Sequence, residues 1–168
     1  KDVFGDALHY LLQQNQVDTR MLQKTEQPTT FAFVSLTNDG ERDFSFQRGA
    51  DQYFNLVSTH PFSVVHFGSA TAFLGGDLEK TYNKEWQQAI ANQSYLSFDP
   101  NYRDALWGNQ TDVFIQKCEP FLQQAHLVKL SEEEAMLLTQ TNQLSDALQQ
   151  LEKYQIPIVT ITLGNKGT

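Results

Sequence analysis

Three short loops hold the residue types that chemistry on a small polar ligand needs. They are Ser97-Phe98-Asp99-Pro100-Asn101-Tyr102-Arg103, Lys129-Leu130-Ser131-Glu132-Glu133-Glu134 and Thr162-Leu163-Gly164-Asn165-Lys166-Gly167, and each contains or follows the end of a short apolar run. In the first, Arg103 offers a planar fork of donors suited to a phosphate, a carboxylate or a polyol, and Pro100 stiffens the turn that holds Asn101 and Arg103. An ordinary Asp-Pro turn, with Arg103 paired to Asp104 on the surface, is the plainer use of the same residues. In the second, Ser131 and Glu134 have the spacing of a capping box, in which the serine accepts from one amide and the glutamate reaches back to another. Three glutamates at a helix start also offer oxygens to a hydrated magnesium ion, and the two roles are compatible. In the third, Gly164 and Gly167 permit positive φ and close backbone approach, so that amides can meet a phosphate or a purine; a plain β-turn fits Gly-x-x-Gly equally. The loop is neither a Walker loop nor a dinucleotide Gly-x-Gly-x-x-Gly.

These loops require a scaffold that brings them together. Residues 64–67, 95–98, 126–130 and 158–163 read as strands, and Phe67, Phe98, Lys129 and Thr162 follow one another at separations of 31, 31 and 33 residues, close to the ~30 of a βαβ unit. Between them Leu78, Tyr82, Trp86, Ala89 and Ile90 share a helical face, as do Phe114, Cys118, Phe121 and Leu122, then Leu144, Leu148 and Leu151. Pro120 is expected to kink or shorten the second of these helices. Right-handed crossovers of this length give an α/β fold, a mainly parallel sheet with helices on its faces. Ligands bind such sheets at the carboxyl ends of the strands, which puts all three loops on one rim.

The first fifty residues depart from that rhythm. Phe4, Ala7, Leu8, Leu11 and Leu12 have helical spacing, and residues 29–37 and 42–48 read as a β-hairpin around Asn38-Asp39-Gly40. Phe44, Phe46 and Arg48 share one face of its second strand by the period-two rule. The hairpin, residues 29–48, either extends the sheet or projects from it as a flap, with residues 1–28 and 49–168 as an incomplete α/β core.

Composition narrows the function classes. The 168 residues are 40% hydrophobic, enough for a sizeable core, and the net charge of −8 argues against nucleic acid or an anionic membrane as partner. No apolar run approaches the ~20 residues that span a bilayer, and a cytoplasmic setting is expected. The single cysteine, Cys118, has no ordered His/Asn pattern that would make it a catalytic thiol. His9, His60, His66 and His126 show no metal-ligand spacing, and His66 and His126 lie in strands where packing is expected. Gly-x-Ser-x-Gly is absent, and Gly68-Ser69 reads as a tight strand exit. The chain opens on Lys1 and stops at Thr168, just after a strand and a glycine pair, and is expected to be a fragment.

In this order the segments resemble the middle of a ribokinase-like (PfkB-type) carbohydrate kinase. The resemblance is carried by Asp2-Val3-Phe4-Gly5, Asn15-Gln16-Val17-Asp18-Thr19, the lid-like stretch 32–50, His66-Phe67-Gly68-Ser69, Asp99-Pro100-Asn101-x-Arg103-x-x-Leu106-Trp107, Lys129-Leu130-Ser131-Glu132-Glu133-Glu134 and Thr162-Leu163-Gly164-x-x-Gly167. It implies transfer of a phosphoryl group from ATP to a sugar hydroxyl, with magnesium. Thr162, Gly164 and Gly167 then lie in the nucleotide loop with Ser131 nearby. Glu134 matches the glutamate of the family's Asn-x-x-Glu magnesium-linked motif, from which Ser131 departs. Phe46 and Arg48 resemble lid residues over the sugar, and Asn101 and Arg103 match a cleft motif facing substrate. Arg48-Gly49-Ala50-Asp51 looks most like fructokinases; 2-keto-3-deoxygluconate kinases share the Asp-x-Asn-x-Arg stretch and are the alternative, with a non-catalytic sugar-binding module as a third. The family's catalytic aspartate is expected beyond Thr168, so no catalytic base is assigned among these residues and the fragment alone is expected to be inactive. A homodimer through the lid is implied by resemblance only.

Overall fold

The computed structural model describes residues 2–36, 42–55 and 60–168; the hairpin tip expected at Asn38-Asp39-Gly40 lies outside them. The elements are α1 (Val3–Gln14), β1 (Phe31–Leu36), β2 (Arg42–Gln47), β3 (Val64–Gly68), α2 (Gly76–Ala91), β4 (Tyr95–Asp99), α3 (Asp104–Trp107), α4 (Thr111–Leu122), β5 (Leu127–Ser131), α5 (Glu132–Thr139), α6 (Leu144–Leu151) and β6 (Ile158–Thr162), with single 3-10 turns at Ala50–Tyr53, Glu152–Tyr154 and Gly164–Lys166. The chain divides into two compact units, Lys1–Thr59 with Leu74–Lys84, and His60–Phe73 with Glu85–Thr168.

In the first unit, α1 begins where a carboxylate caps it. Asp2 accepts from the Gly5 amide at 2.8 Å, as an N-cap does, and also from the Thr29 amide and hydroxyl, both at 2.7 Å. One side chain thus ties the helix start to the strand entry. β1 and β2 pair antiparallel from Phe31↔Gln47 to Leu36↔Arg42. Phe44 and Phe46 are half-buried and stack at 6.0 Å, while Ser45 and Gln47 between and beyond them are exposed, as the period-two pattern requires. Arg48 does not continue that face: β2 stops at Gln47. The chain turns there because Gly49 passes so close to Pro28 that a Cβ would stand 2.1 Å from its carbonyl oxygen.

The second unit is a four-stranded parallel sheet in the order β3-β4-β5-β6, as the repeat spacing predicts. Its core is aromatic. Phe67, Phe73, Trp86, Phe98, Phe114 and Phe121 are all at most 4% exposed, and Phe121 lies 4.4 Å from Trp86 and 5.0 Å from Phe98 between ring centroids. The expected α4 face is buried in full. Pro120, however, neither kinks nor shortens α4 appreciably: it sits two residues before the end, so only one late helical bond is lost while Phe121 and Leu122 anchor the last turn. In α6 Leu151 is buried as the pattern requires, together with Ala147, while Leu148 is 41% exposed. The two strand-region histidines each make a hydrogen bond, His66 Nδ1 with Ser97 Oγ at 3.0 Å and His126 Nδ1 accepting from the Leu96 amide at 3.0 Å, and the His126 ring also packs on Tyr95 with ring centroids 4.9 Å apart.

Two outcomes follow. Phe121→Ala removes the ring that joins Trp86 to Phe98 and should cost about 3–5 kcal/mol, read as a lowered urea midpoint. The Asp2 carboxyl is held down to about 2, from an ordinary 3.8, chiefly by the Gly5 amide and then by Thr29. Its contribution is therefore complete above its ordinary value and is lost as pH falls from about 4 to about 2; Asp2→Asn should flatten that part of the acid-unfolding curve.

Candidate functional site

At the carboxyl edge of the parallel sheet the strand exits lie in register. Gly68 pairs with Asp99, and Ser131 pairs with Thr162. The three loops singled out in sequence therefore meet on one rim, with the exit of β3 beside them. Asn101 and Arg103 stand between β4 and α3, Ser131 and Glu134 at the start of α5, and Thr162, Gly164 and Gly167 at the end of β6 and the turn after it.

The capping box at α5 is formed. Ser131 Oγ accepts from the Glu134 amide at 3.1 Å, and Glu134 Oε2 accepts from the Ser131 amide at 2.8 Å. Glu134 also does something the sequence did not suggest: its other oxygen, Oε1, accepts from the Tyr102 amide at 2.8 Å. Glu133 has its carboxyl lowered by its own amide and then by the Ser131 hydroxyl. A helix start favours such negative charge.

On the β4 exit, Asn101 takes a left-handed conformation, φ 51°. Arg103 Nη1 donates to the Tyr102 carbonyl at 2.8 Å, and the Tyr102 hydroxyl pairs with Thr111 Oγ1 at 3.0 Å. Burial raises the Tyr102 phenol, and nearby Asp104 adds to that, against the Thr111 bond. Asp104 is exposed and begins the short helix α3.

Two neighbours were missed. Ser69, read only as part of a strand exit, is fully buried, with its amide donating to Asp99 O at 3.1 Å and its hydroxyl to Pro100 O. Lys129 Nζ pairs with Asp99 Oδ2 at 3.3 Å, while buried Asp99 Oδ1 has no hydrogen-bond partner among the described residues. Only the strand register makes these residues adjacent, so no local pattern could have flagged them.

The rim can accept a polar ligand with a phosphate tail. Gly164 (φ 61°) and Gly167 (φ 99°) have no atom within 4 Å of where a Cβ would stand, leaving the turn's backbone open to approach. Thr162 Oγ1 donates to Leu130 O at 3.3 Å, which aligns the β6 exit with β5. The described residues contain no cluster of three or more His, Cys, Asp or Glu that could hold a metal. A magnesium ion here fits only if most of its oxygens come from water and nucleotide phosphates, which is its usual habit.

Phe46 and Arg48 belong to the first unit. The Arg48 guanidinium is fastened by Asp51, with Nε at 2.9 Å and Nη2 at 2.8 Å from Oδ2. Oδ1 of Asp51 accepts from the Thr30 hydroxyl and from the Gly49 amide at 3.2 Å. Burial works to raise the Asp51 carboxyl, but Thr30, Arg48 and Gly49 together lower it. A cavity of about 290 Å³ lies nearby in the same unit, lined in part by Asp2, His9, Leu12, Thr30 and Asp51.

Parallel strands with helical crossovers, and a rim carrying a glycine turn, an arginine loop and an acidic helix start, define an α/β protein with its candidate site at the carboxyl edge of the sheet. The pfkB family carbohydrate kinase profile matches residues 1–168, and the chain belongs to that family. It is 32% identical to a fructokinase of Vibrio alginolyticus, over 99% of this chain and 55% of that one. It superposes on the apo fructokinase of Vibrio cholerae with a TM-score of 0.78 at 31% identity, covering 99% of this chain and 59% of that one. The same enzyme in its fructose, ADP and calcium ion bound form gives a TM-score of 0.75 at 28% identity, covering 99% of this chain and 56% of that one. The chain spans about half the length of the relatives it matches. Among the described residues no helix is long and apolar enough to cross a membrane.

The Asp51 carboxylate receives only donors, so Asp51→Asn turns an NH2 group toward some of them. The substitution should destabilise the first unit by about 1–3 kcal/mol, measured as a lowered denaturation midpoint.

Proposed function

We propose that the whole protein of which this chain is part is an ATP-dependent sugar kinase, with fructose as acceptor. The observation that carries the reading is the rim itself, on which three loops far apart in sequence converge with a glycine turn beside them. Support comes from the fructokinase relatives and from the neighbour whose structure holds fructose and ADP.

ATP, when bound, supplies the phosphoryl group. In this reading the open backbone at Gly164 and Gly167 takes the nucleotide, with Thr162 and Ser131 beside it. Arg103 and Asn101 orient the acceptor, and a fixed guanidinium near developing negative charge is worth more than a mobile one. Phe46 and Arg48 are assigned to the sugar, Arg48 being held by Asp51 in a fixed orientation. Closure over the sugar excludes water and favours transfer to the hydroxyl over hydrolysis. Glu134, with both oxygens on amides, serves a hydrated magnesium only through water held by its remaining lone pairs. The proton acceptor for the sugar hydroxyl is assigned to no residue of this chain.

The reading is tested by ADP release from the full-length protein. Fructose should give kcat/KM at least about tenfold above 2-keto-3-deoxygluconate, a difference of about 1.4 kcal/mol in transition-state binding. Preference for the acid would mean that its carboxylate engages the arginines and that the acceptor is misassigned. Sugar binding without ADP release would leave a binding module.

A further inference from the structure

Asn101 sits in the left-handed region, and what fixes it there comes from two other loops. On its amino side, Pro100 is fully buried, and its carbonyl accepts from the hydroxyl of Ser69, which lies just past β3. The Ser69 amide donates to the preceding carbonyl, that of Asp99, at 3.1 Å. On its carboxyl side the Tyr102 amide donates to Glu134 Oε1 at 2.8 Å. Ser69 is 0% exposed and Glu134 7%, so water is poorly placed to substitute for either bond. A hydrogen bond to a carboxylate is among the stronger kinds.

The Glu134 contact goes beyond helix capping. The capping box needs only Oε2 on the Ser131 amide, while Oε1 reaches a residue 32 positions earlier. Arg103 is tied to the next peptide, its Nη1 donating to the Tyr102 carbonyl at 2.8 Å. The peptide groups on both sides of Asn101 are therefore held from outside the loop, and the side chain of Arg103 is tied to the peptide that follows them.

We propose that Ser69 and Glu134 are positioning residues that clamp the Pro100-Asn101-Tyr102 turn from opposite sides and so set the directions of Asn101 and Arg103. The clamp is a matter of geometry; its consequence for catalysis rests on the sugar-kinase reading. A displacement of about 1 Å at groups that orient a substrate can cost on the order of a hundredfold in rate, which is the reason a turn with a left-handed residue needs holding.

The test uses the full-length protein as Ser69→Ala and Glu134→Gln, followed by amide hydrogen exchange of the segment 100–103 and by steady-state kinetics across magnesium concentrations. Each variant should exchange that segment at least about fivefold faster than the parent, because a local opening now costs less, and each should lower kcat by about tenfold or more at saturating magnesium. Unchanged exchange in both variants overturns the clamp. So does a Glu134→Gln defect that saturating magnesium repairs with exchange unaltered, which would make the glutamate a partner of the ion alone. If Glu134→Gln does not fold, Ser69→Ala decides by the same readout. A parent protein with no sugar turnover refutes the functional reading, while exchange in the variants still decides the clamp.

Discussion

In a parallel sheet every strand delivers its carboxyl end to the same edge, because each crossover must return the chain to the start of the next strand. Here β3, β4, β5 and β6 pair in sequence order, so neighbouring exits are separated by only the strand spacing of about 4.8 Å. That single constraint turns residues some thirty positions apart into neighbours. Ser69 reaches Pro100, Lys129 reaches Asp99, and Glu134 reaches Tyr102. The aromatic layer of Phe67, Trp86, Phe98 and Phe121 holds the register from one side. The rim is as well defined as the packing beneath it.

The scaffold was legible in the sequence because its signals are periodic. Apolar runs recurring at 31, 31 and 33 residues, with helical stripes between them, leave few arrangements other than a parallel sheet. The α5 capping box was legible for a related reason: both partners lie within one helical turn. What was not legible is tertiary. Nothing local marks Ser69 as buried, or Asp99 and Lys129 as a pair, since their partners are set by register. Arg48 was placed on the face of Phe44 and Phe46 by a period-two count that outran the strand by one residue. Pro120 was expected to disturb α4, but a proline two residues from a helix end removes little, and burial of Phe121 and Leu122 decides the conformation. In α6 the leucine pattern was right for Leu151, which is buried, but Leu148 faces out and the small Ala147 takes the interior in its place.

The overall negative charge says little about the rim. Asp99 Oδ2 is matched by Lys129, and Glu134 accepts from two amides. Glu134 turns both oxygens to the protein's own donors, whereas Asp99 keeps buried Oδ1 without a hydrogen-bond partner among the described residues. Cys118, behind this layer, has its thiol pushed well up by burial and then by Glu134, which keeps it protonated and inert.

Gly49 has a mechanical meaning as well. Its Cα passes Pro28 with no room for even a methyl group, and the Ala50 amide donates to the same carbonyl at 2.8 Å. The two roots of the hairpin are thereby pinned to each other like crossed rods at a rivet. Force applied to either strand must be carried by both, so the ribbon can swing only as one stiff lever, and sequence drift at its pivot is restricted to the absence of a side chain.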